Sequence, residues 1–537
     1  MEEQQAVKKF ILMSLLPFSL TAHALESKFD ETVWDLDLYR HHVSTLADDK
    51  MEGRAPLSEG ETLTINYLVD AFKQLGLAPA FGDSYVQPVP LAKVTADQSM
   101  QLTVGNLTFN NGVDFTARTQ RISELIEVKN SDIVFAGYGI NAPEYGWNDY
   151  DGLDVKGKTV VVLVNDPGFA TQDPNVFKGN AMTYYGRWTY KYEEAARQGA
   201  KALFIVHETA PAAYGWGVVQ NSNTNTKFTL VDKDNNQSQV GVMGWLTHEA
   251  TQKLFAAAGL DFDREKVKAQ DVHFKPIDLK LNANLTLKNT IELAQSHNVA
   301  AKIVGSNAPQ QAVVMHAHWD HLGTVIEDGK TQVLNGAVDN ASGVAGVLEL
   351  ARVFKQQADK TPFKRTIMFS AFTAEETGLI GAQHFAEHPP VPTKDIVAFL
   401  NIDGMNVNQG VDYILGYGQG VSELETYLAT AASHQGRRVK ADPRPQNGLM
   451  FRSDHFALAK EGVPGLLFMS LGDTDPQYIK EKYHKGADDY DASWTLGGVK
   501  QDLSLIADIL ATLANNQDWP NWLESSDFKA RRAEDGH

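Results

Sequence analysis

From residue 298 onward the chain alternates short apolar runs with amphipathic segments, and this alternation restricts it to a sheet layered between helices. The runs QAVVMHAHWD, RTIMFSAFTA, DIVAFLNIDG and VPGLLFMS have strand length and few polar residues, as strands covered on both faces require. Between them, ASGVAGVLELARVFKQQ, SELETYLATAASH, SDHFALAKEG and GVKQDLSLIADILATLA repeat apolar residues at helical spacing. The expected fold is α/β, with a three-layer αβα arrangement around a mostly parallel, mixed sheet. Residues 291–518 are assigned to this unit, and 519–537 to a C-terminal tail.

Metal-seeking and acid/base side chains stand where these runs end. His318 and Asp320 close one run, Asp339 lies in GAVDNASG, Glu375 and Glu376 follow another, Asp403 ends VAFLNIDG, and His484 lies in the loop YIKEKYHKGADD. Strand ends are where open α/β sheets build their sites. Imidazole and carboxylate groups from several strands can hold divalent cations and leave one glutamate free to move a proton. Each residue also has an ordinary reading: a structural histidine, a helix-capping aspartate at 339, a solvated acidic helix start at 375–376. Taken as an ordered set, they predict metal-assisted hydrolysis. His316 and His321 are expected to be structural or to support the ligands from behind.

The preceding residues divide into three parts. Residues 25–130 hold two helical segments around the break MEGRAPLSEG, then short alternating stretches such as MQLTVGNLTFN that suggest connecting strands. Residues 131–290 read as a separate small α/β module, from SDIVFAGYGI through DVKGKTVVVLVNDP and the helix-like YKYEEAARQGA to GVMGWLT. Residues 1–24 read as an export signal: Lys8 and Lys9 precede FILMSLLPFSL, and Ala22-His23-Ala24 offers a cleavage site. A periplasmic or secreted location follows, without a stable membrane anchor.

Composition narrows the function classes. A net charge of −19 would repel a phosphate backbone, so nucleic acid is not expected as a partner. The chain has no cysteine, which removes disulfides, thiolate ligands and a cysteine nucleophile together. Ligands limited to imidazole and carboxylate suit zinc, with cobalt or manganese also possible.

The ordered series resembles that of the di-zinc aminopeptidases of the bacterial leucyl aminopeptidase type, relatives of glutamate carboxypeptidase and of the transferrin receptor. LADDKMEGRAPLSEGETLTINYLVDAFKQLGL is similar to the family's N-terminal helices. FAGYGI and YDGLDVKGKTVVVL are similar to its inserted protease-associated domain, here 131–290. The resemblance implies two zinc ions, with Asp339 bridging them, His318 and Asp403 completing one site, and Glu376 and His484 the other. It implies Glu375 as general base of a metal-bridging hydroxide, and Asp320 as partner of His318. It also implies a peptide substrate with a free N-terminus; a glutamate-carboxypeptidase-like exopeptidase and an inactive receptor-like protein are the alternatives. Some relatives carry a tyrosine three residues before Ser-Asp-His. Here that place is Met450, with Phe451 and Arg452 leading into Ser453, Asp454 and His455, so the tyrosine's help to an oxyanion is absent. Asp454 and His455 are read as structural. Arg452 is read as an ordinary arginine, with an electrostatic role toward the oxyanion as the alternative.

Overall fold

A computed structural model of the chain describes residues 29, 31–327, 329–470 and 474–537. The expected signal at 1–24 lies outside these residues. Among the described residues no helix is long and apolar enough to cross a membrane.

The large unit is a mixed sheet in the order Gly465–Phe468, Ile396–Ile402, Ala308–His318, Arg365–Phe372 and Ile277–Ile303. The first four strands run parallel, and the last is antiparallel to its neighbour. Side chains alternate across this sheet as strand geometry dictates. Val313, Met315 and Ala317 face a core shared with the helices Leu36–Leu46, Gly343–Ala358, Leu424–His434 and Gly497–Asn515. Val314, Met368 and Phe399 face the opposite side, against Ile380–Glu387 and His455–Lys460. Helices therefore cover both faces, giving the three-layer αβα architecture expected from the alternation.

The second unit has its own sheet, in the order Ile277–Ile303, Leu125–Phe135, Thr159–Leu163, Ala202–His207, Val242–Thr247 and Phe115–Arg118. Helices Trp188–Arg197 and His248–Ala257 lie against it. One 27-residue strand, Ile277–Ile303, joins the units. Its first part pairs with Leu125–Phe135, and its second with Val86–Ala96 and Arg365–Phe372. The strands Gln101–Val104 and Phe115–Arg118, which precede residue 131, also pair within the small unit's sheet. Four-residue strands carry too little alternation for a sequence to assign them to one sheet or another.

The N-terminal helices meet the large unit through a tight turn. Gly53 has φ +61°, and a Cβ there would lie 2.4 Å from the carbonyl oxygens of both Gly323 and Leu334. The next residue, Arg54, is buried and donates to four carbonyls: Trp319 at 2.8 Å, Leu46 and Asn335 at 2.6 Å, and Gly336 at 2.9 Å. It ties the strand end after His318 to the loop before Asp339. Gly53→Ala is expected to cost about 2–4 kcal/mol of stability, from overpacking plus a left-handed backbone. Chemical denaturation measures this, and a loss below about 0.5 kcal/mol would mean that the turn is not tightly held.

Candidate metal centre

Register brings the predicted residues together. His318 pairs with Phe372 across the sheet, and Ala317 with Ile402, so His318, the 373–376 turn and Asp403 leave the same edge of three adjacent strands. Asp339 enters from the turn Ala337–Ser342 ahead of the Gly343–Ala358 helix. Its peptide bond to Asn340 is cis. The Asn340 side chain fastens this turn to the strand end, donating to Ile402 O at 2.9 Å and accepting from Gly404 N at 3.0 Å. From the other side Asp488 accepts from Val338 N at 3.0 Å and Asp339 N at 3.1 Å, and the Tyr478 hydroxyl donates to it at 2.8 Å.

Two groups of donors result. His318 Nε2 lies 3.4 Å from Asp339 Oδ1 and 3.5 Å from Asp403 Oδ1. His484 Nε2 lies 3.4 Å from Asp339 Oδ2 and 3.0 Å from Glu376 Oε2. Both nitrogens are enclosed and make no hydrogen bond. Ligands about 2.0–2.1 Å from a tetrahedral cation stand about 3.3–3.4 Å apart, so the three separations to Asp339 and Asp403 suit a metal, while the 3.0 Å from His484 to Glu376 is also a hydrogen-bond length. His318, Asp339 and Asp403 form one group able to hold an ion. A second group able to do so contains His321, Asp339 and Glu376. There His321 Nδ1 is hydrogen-bonded to Glu376 Oε1 at 2.6 Å while its Nε2, like His484 Nε2, is enclosed without a partner; His484 Nε2 is the nitrogen that stands close to both carboxylates, 3.4 Å from Asp339 and 3.0 Å from Glu376. The donor set is all imidazole and carboxylate, which fits zinc.

Electrostatics separate the two adjacent glutamates. Burial and the Asp339 charge oppose ionisation of Glu376, but the His484 and His321 imidazoles prevail and hold its pKa at about 2. Burial, reinforced by the Asp403, Glu376 and Asp454 charges, raises Glu375 well above the usual carboxylate range. Burial also opposes charge on the histidines. The Glu375 charge and the nearby aspartates nevertheless raise His318 well above its usual value, and Glu376 and Asp339 lift His484 to about 10. The pocket thus attracts positive charge strongly.

Asp320 lies behind His318 and also supports the glutamate turn. His318 Nδ1 lies 3.1 Å from the Asp320 backbone carbonyl, while the nearest Asp320 carboxylate oxygen is 3.7 Å away. That carboxylate also accepts from Glu375 N at 3.0 Å and Glu376 N at 3.4 Å, fixing the turn that carries both glutamates. Sequence reading missed Arg54, Asp488 and Tyr483, whose ring stacks on His484 at 3.8 Å. The DD pair at 488–489 and the GR pair at 53–54 are the only signals the sequence offers for the first two. Of the Ser-Asp-His residues, Asp454 is fully buried and pairs with His316 Nε2 at 2.7 Å.

Residues 298–505 match the model of peptidase family M28. A probable zinc metalloprotease of Pyrenophora tritici-repentis is 35% identical over 114 residues, covering 21% of this chain and 25% of that protein. A vacuolar membrane protease of Clavispora lusitaniae is 26% identical over 266 residues, covering 48% of this chain and 23% of that protein. The chain thus spans about a quarter of the length of these curated relatives. Among solved structures, an aminopeptidase from Aneurinibacillus sp. strain AM-1 superposes with a TM-score of 0.51 at 20% identity, covering 91% of this chain and 96% of that one. It shares the fold.

Metal uptake is expected to release protons. His318 and His484 are held above their usual values, so near about pH 7 each carries a proton that must leave before its nitrogen can ligate. Affinity should therefore fall as pH drops and rise as pH climbs toward about 10. Zinc titration by calorimetry in buffers of different ionisation enthalpy reads the proton count; a count of zero near pH 7 contradicts this charge balance.

Proposed function

We propose that this chain, which carries a peptidase family M28 domain at residues 298–505, is an exported two-zinc aminopeptidase removing N-terminal residues from peptides. The observation that carries this reading is the pair of unpaired imidazole nitrogens, His318 Nε2 and His484 Nε2, on opposite oxygens of one carboxylate, Asp339. Asp339 would serve both ions, His318 and Asp403 one of them, and Glu376 and His484 the other. Export is supported by the Lys8-Lys9 pair, the apolar run and the Ala22-His23-Ala24 site.

Zinc, when bound, supplies Lewis acidity toward a peptide carbonyl and a water. Glu376 is held ionised and suits ligation. Glu375 is held well above the usual carboxylate range and stands beside it, so it suits the proton-moving role. With the charge of bound cations favouring its ionised form, Glu375 would take the proton of the attacking water and return it to the departing amine. Asp320 would keep Glu375 aimed, because it binds the backbone N–H of that residue at 3.0 Å. His321 would orient Glu376 through its 2.6 Å hydrogen bond, the usual service of a group behind a ligand.

A panel of aminoacyl arylamides with free and acetylated amines tests this reading. Cleavage of the free-amine compounds alone is expected, abolished by a chelator and restored by zinc. Equal cleavage of acetylated compounds would overturn the aminopeptidase assignment, and activity indifferent to chelation would overturn the metal assignment.

A further inference from the structure

The turn that carries the two glutamates has a backbone shape that its own residues do not favour. Ala374 has φ +56°, and Leu379, at the far end of the turn, has φ +60°. Left-handed backbone is costly for a residue with a Cβ, so such a turn keeps its shape only where surrounding groups impose it. Asp320 does so from one side, through Glu375 N and Glu376 N. At the neck, Thr373 N donates to Asn298 Oδ1 at 3.1 Å, Asn298 Nδ2 donates to Gly381 O at 2.9 Å, and Gly381 N donates to Thr373 O at 3.0 Å.

A third hold comes from the N-terminal helices. Thr373 Oγ1 lies 2.6 Å from Ser296 Oγ, and Ser296 Oγ donates to Glu61 Oε1 at 3.0 Å. Because the single Ser296 hydroxyl proton is committed to the carboxylate, Thr373 is the donor in the first of these bonds. His297 Nδ1 stands 2.8 Å from the same Glu61 oxygen. Ser296 and Thr373 are fully buried, and Glu61 is 5% exposed. Glu61 belongs to the helix Glu59–Gln74, and its other oxygen accepts from Leu57 N at 2.6 Å, just ahead of the Ser58 cap. That second contact is ordinary helix capping, which a solvent-exposed glutamate performs equally well. Withdrawing the carboxylate from water to reach a serine 235 residues away in sequence is costly unless polar partners meet it there. The hydroxyl chain meets it, and bonds that end on a carboxylate are stronger than neutral ones.

We propose that Glu61 is a positioning residue for the reaction: acting through Ser296 and Thr373, it fixes the start of the glutamate turn and so aims the Glu375 carboxylate. The inference rests on the reading of Glu375 as the proton-moving group. Only the left-handed Ala374 separates Thr373 from Glu375, so a displacement at Thr373 passes directly to the base. Glu376 has a separate tether in His321. Loosening the hydroxyl chain therefore impairs proton movement before it impairs metal binding. The N-terminal helices thereby take part in the chemistry as well as covering the sheet.

Hydroxyl deletions in the zinc-loaded protein test this, with turnover of a free-amine aminoacyl arylamide as the readout. Thr373→Val keeps the side-chain shape and both backbone bonds and removes only the hydroxyl; Ser296→Ala cuts the same chain one link further back. Each is expected to lower kcat at least about tenfold, with KM and bound zinc within about twofold of the parent. Thr373→Ser restores the hydroxyl and should recover kcat to within about threefold. Glu61→Gln should cost less in the Thr373→Val background than alone, because the link it acts through is already cut. The proposal is overturned if either deletion keeps kcat within about twofold, if zinc content falls in step with kcat, if Thr373→Ser is as slow as Thr373→Val, or if the Glu61 and Thr373 effects simply add. Should Thr373→Val fail to fold, Ser296→Ala decides alone. Parental kcat in Glu375→Gln overturns the base assignment and this inference with it, whereas a slow Glu375→Gln beside unimpaired hydroxyl deletions leaves the base assignment standing and overturns the role of Glu61.

Discussion

Buried negative charge around Asp339 is the constraint on which the rest of the molecule depends. Asp320, Asp339, Glu376, Asp403 and Asp488 converge on one edge of the large sheet, with Glu375 beside them, and burial alone would favour the neutral form of each. The chain answers with His318 and His484 between the carboxylates and with Arg54 behind them, within electrostatic reach of Asp488, Asp320, Asp339 and Glu376. Arg54 is held by backbone carbonyls rather than by the acids themselves. It therefore contributes positive potential without occupying the pocket. The remaining imbalance is what a pair of divalent cations would correct.

Identical side chains acquire different properties in this setting. Glu375 and Glu376 are neighbours, yet one is raised and the other depressed, because His321 and His484 face only the second. Asp320 holds both backbone amides and so fixes which carboxylate faces which way. The turn is thus as much a part of the site as the side chains it displays.

The large unit's fold was readable because strands buried on both faces leave near-continuous apolar runs, as VVMHAH and IMFSAF do. Candidate site residues were visible for the same reason: a charged group ending such a run is conspicuous. Arg54 and Asp488 were not, since both act on backbone atoms of loops distant in sequence, and no periodicity marks such contacts. The extent of the strand Ile277–Ile303 was not legible, because its two halves serve different sheets. The short strands at 101–118 offered too few residues to declare their partner.

Anomalous X-ray scattering at the zinc edge, from crystals of protein loaded with zinc, tests the central claim most directly. Two peaks are expected on either side of the Asp339 carboxylate, one against His318 and Asp403, the other against Glu376 and His484. A single peak, or a second peak held by residues that exclude Asp339, would contradict the shared centre.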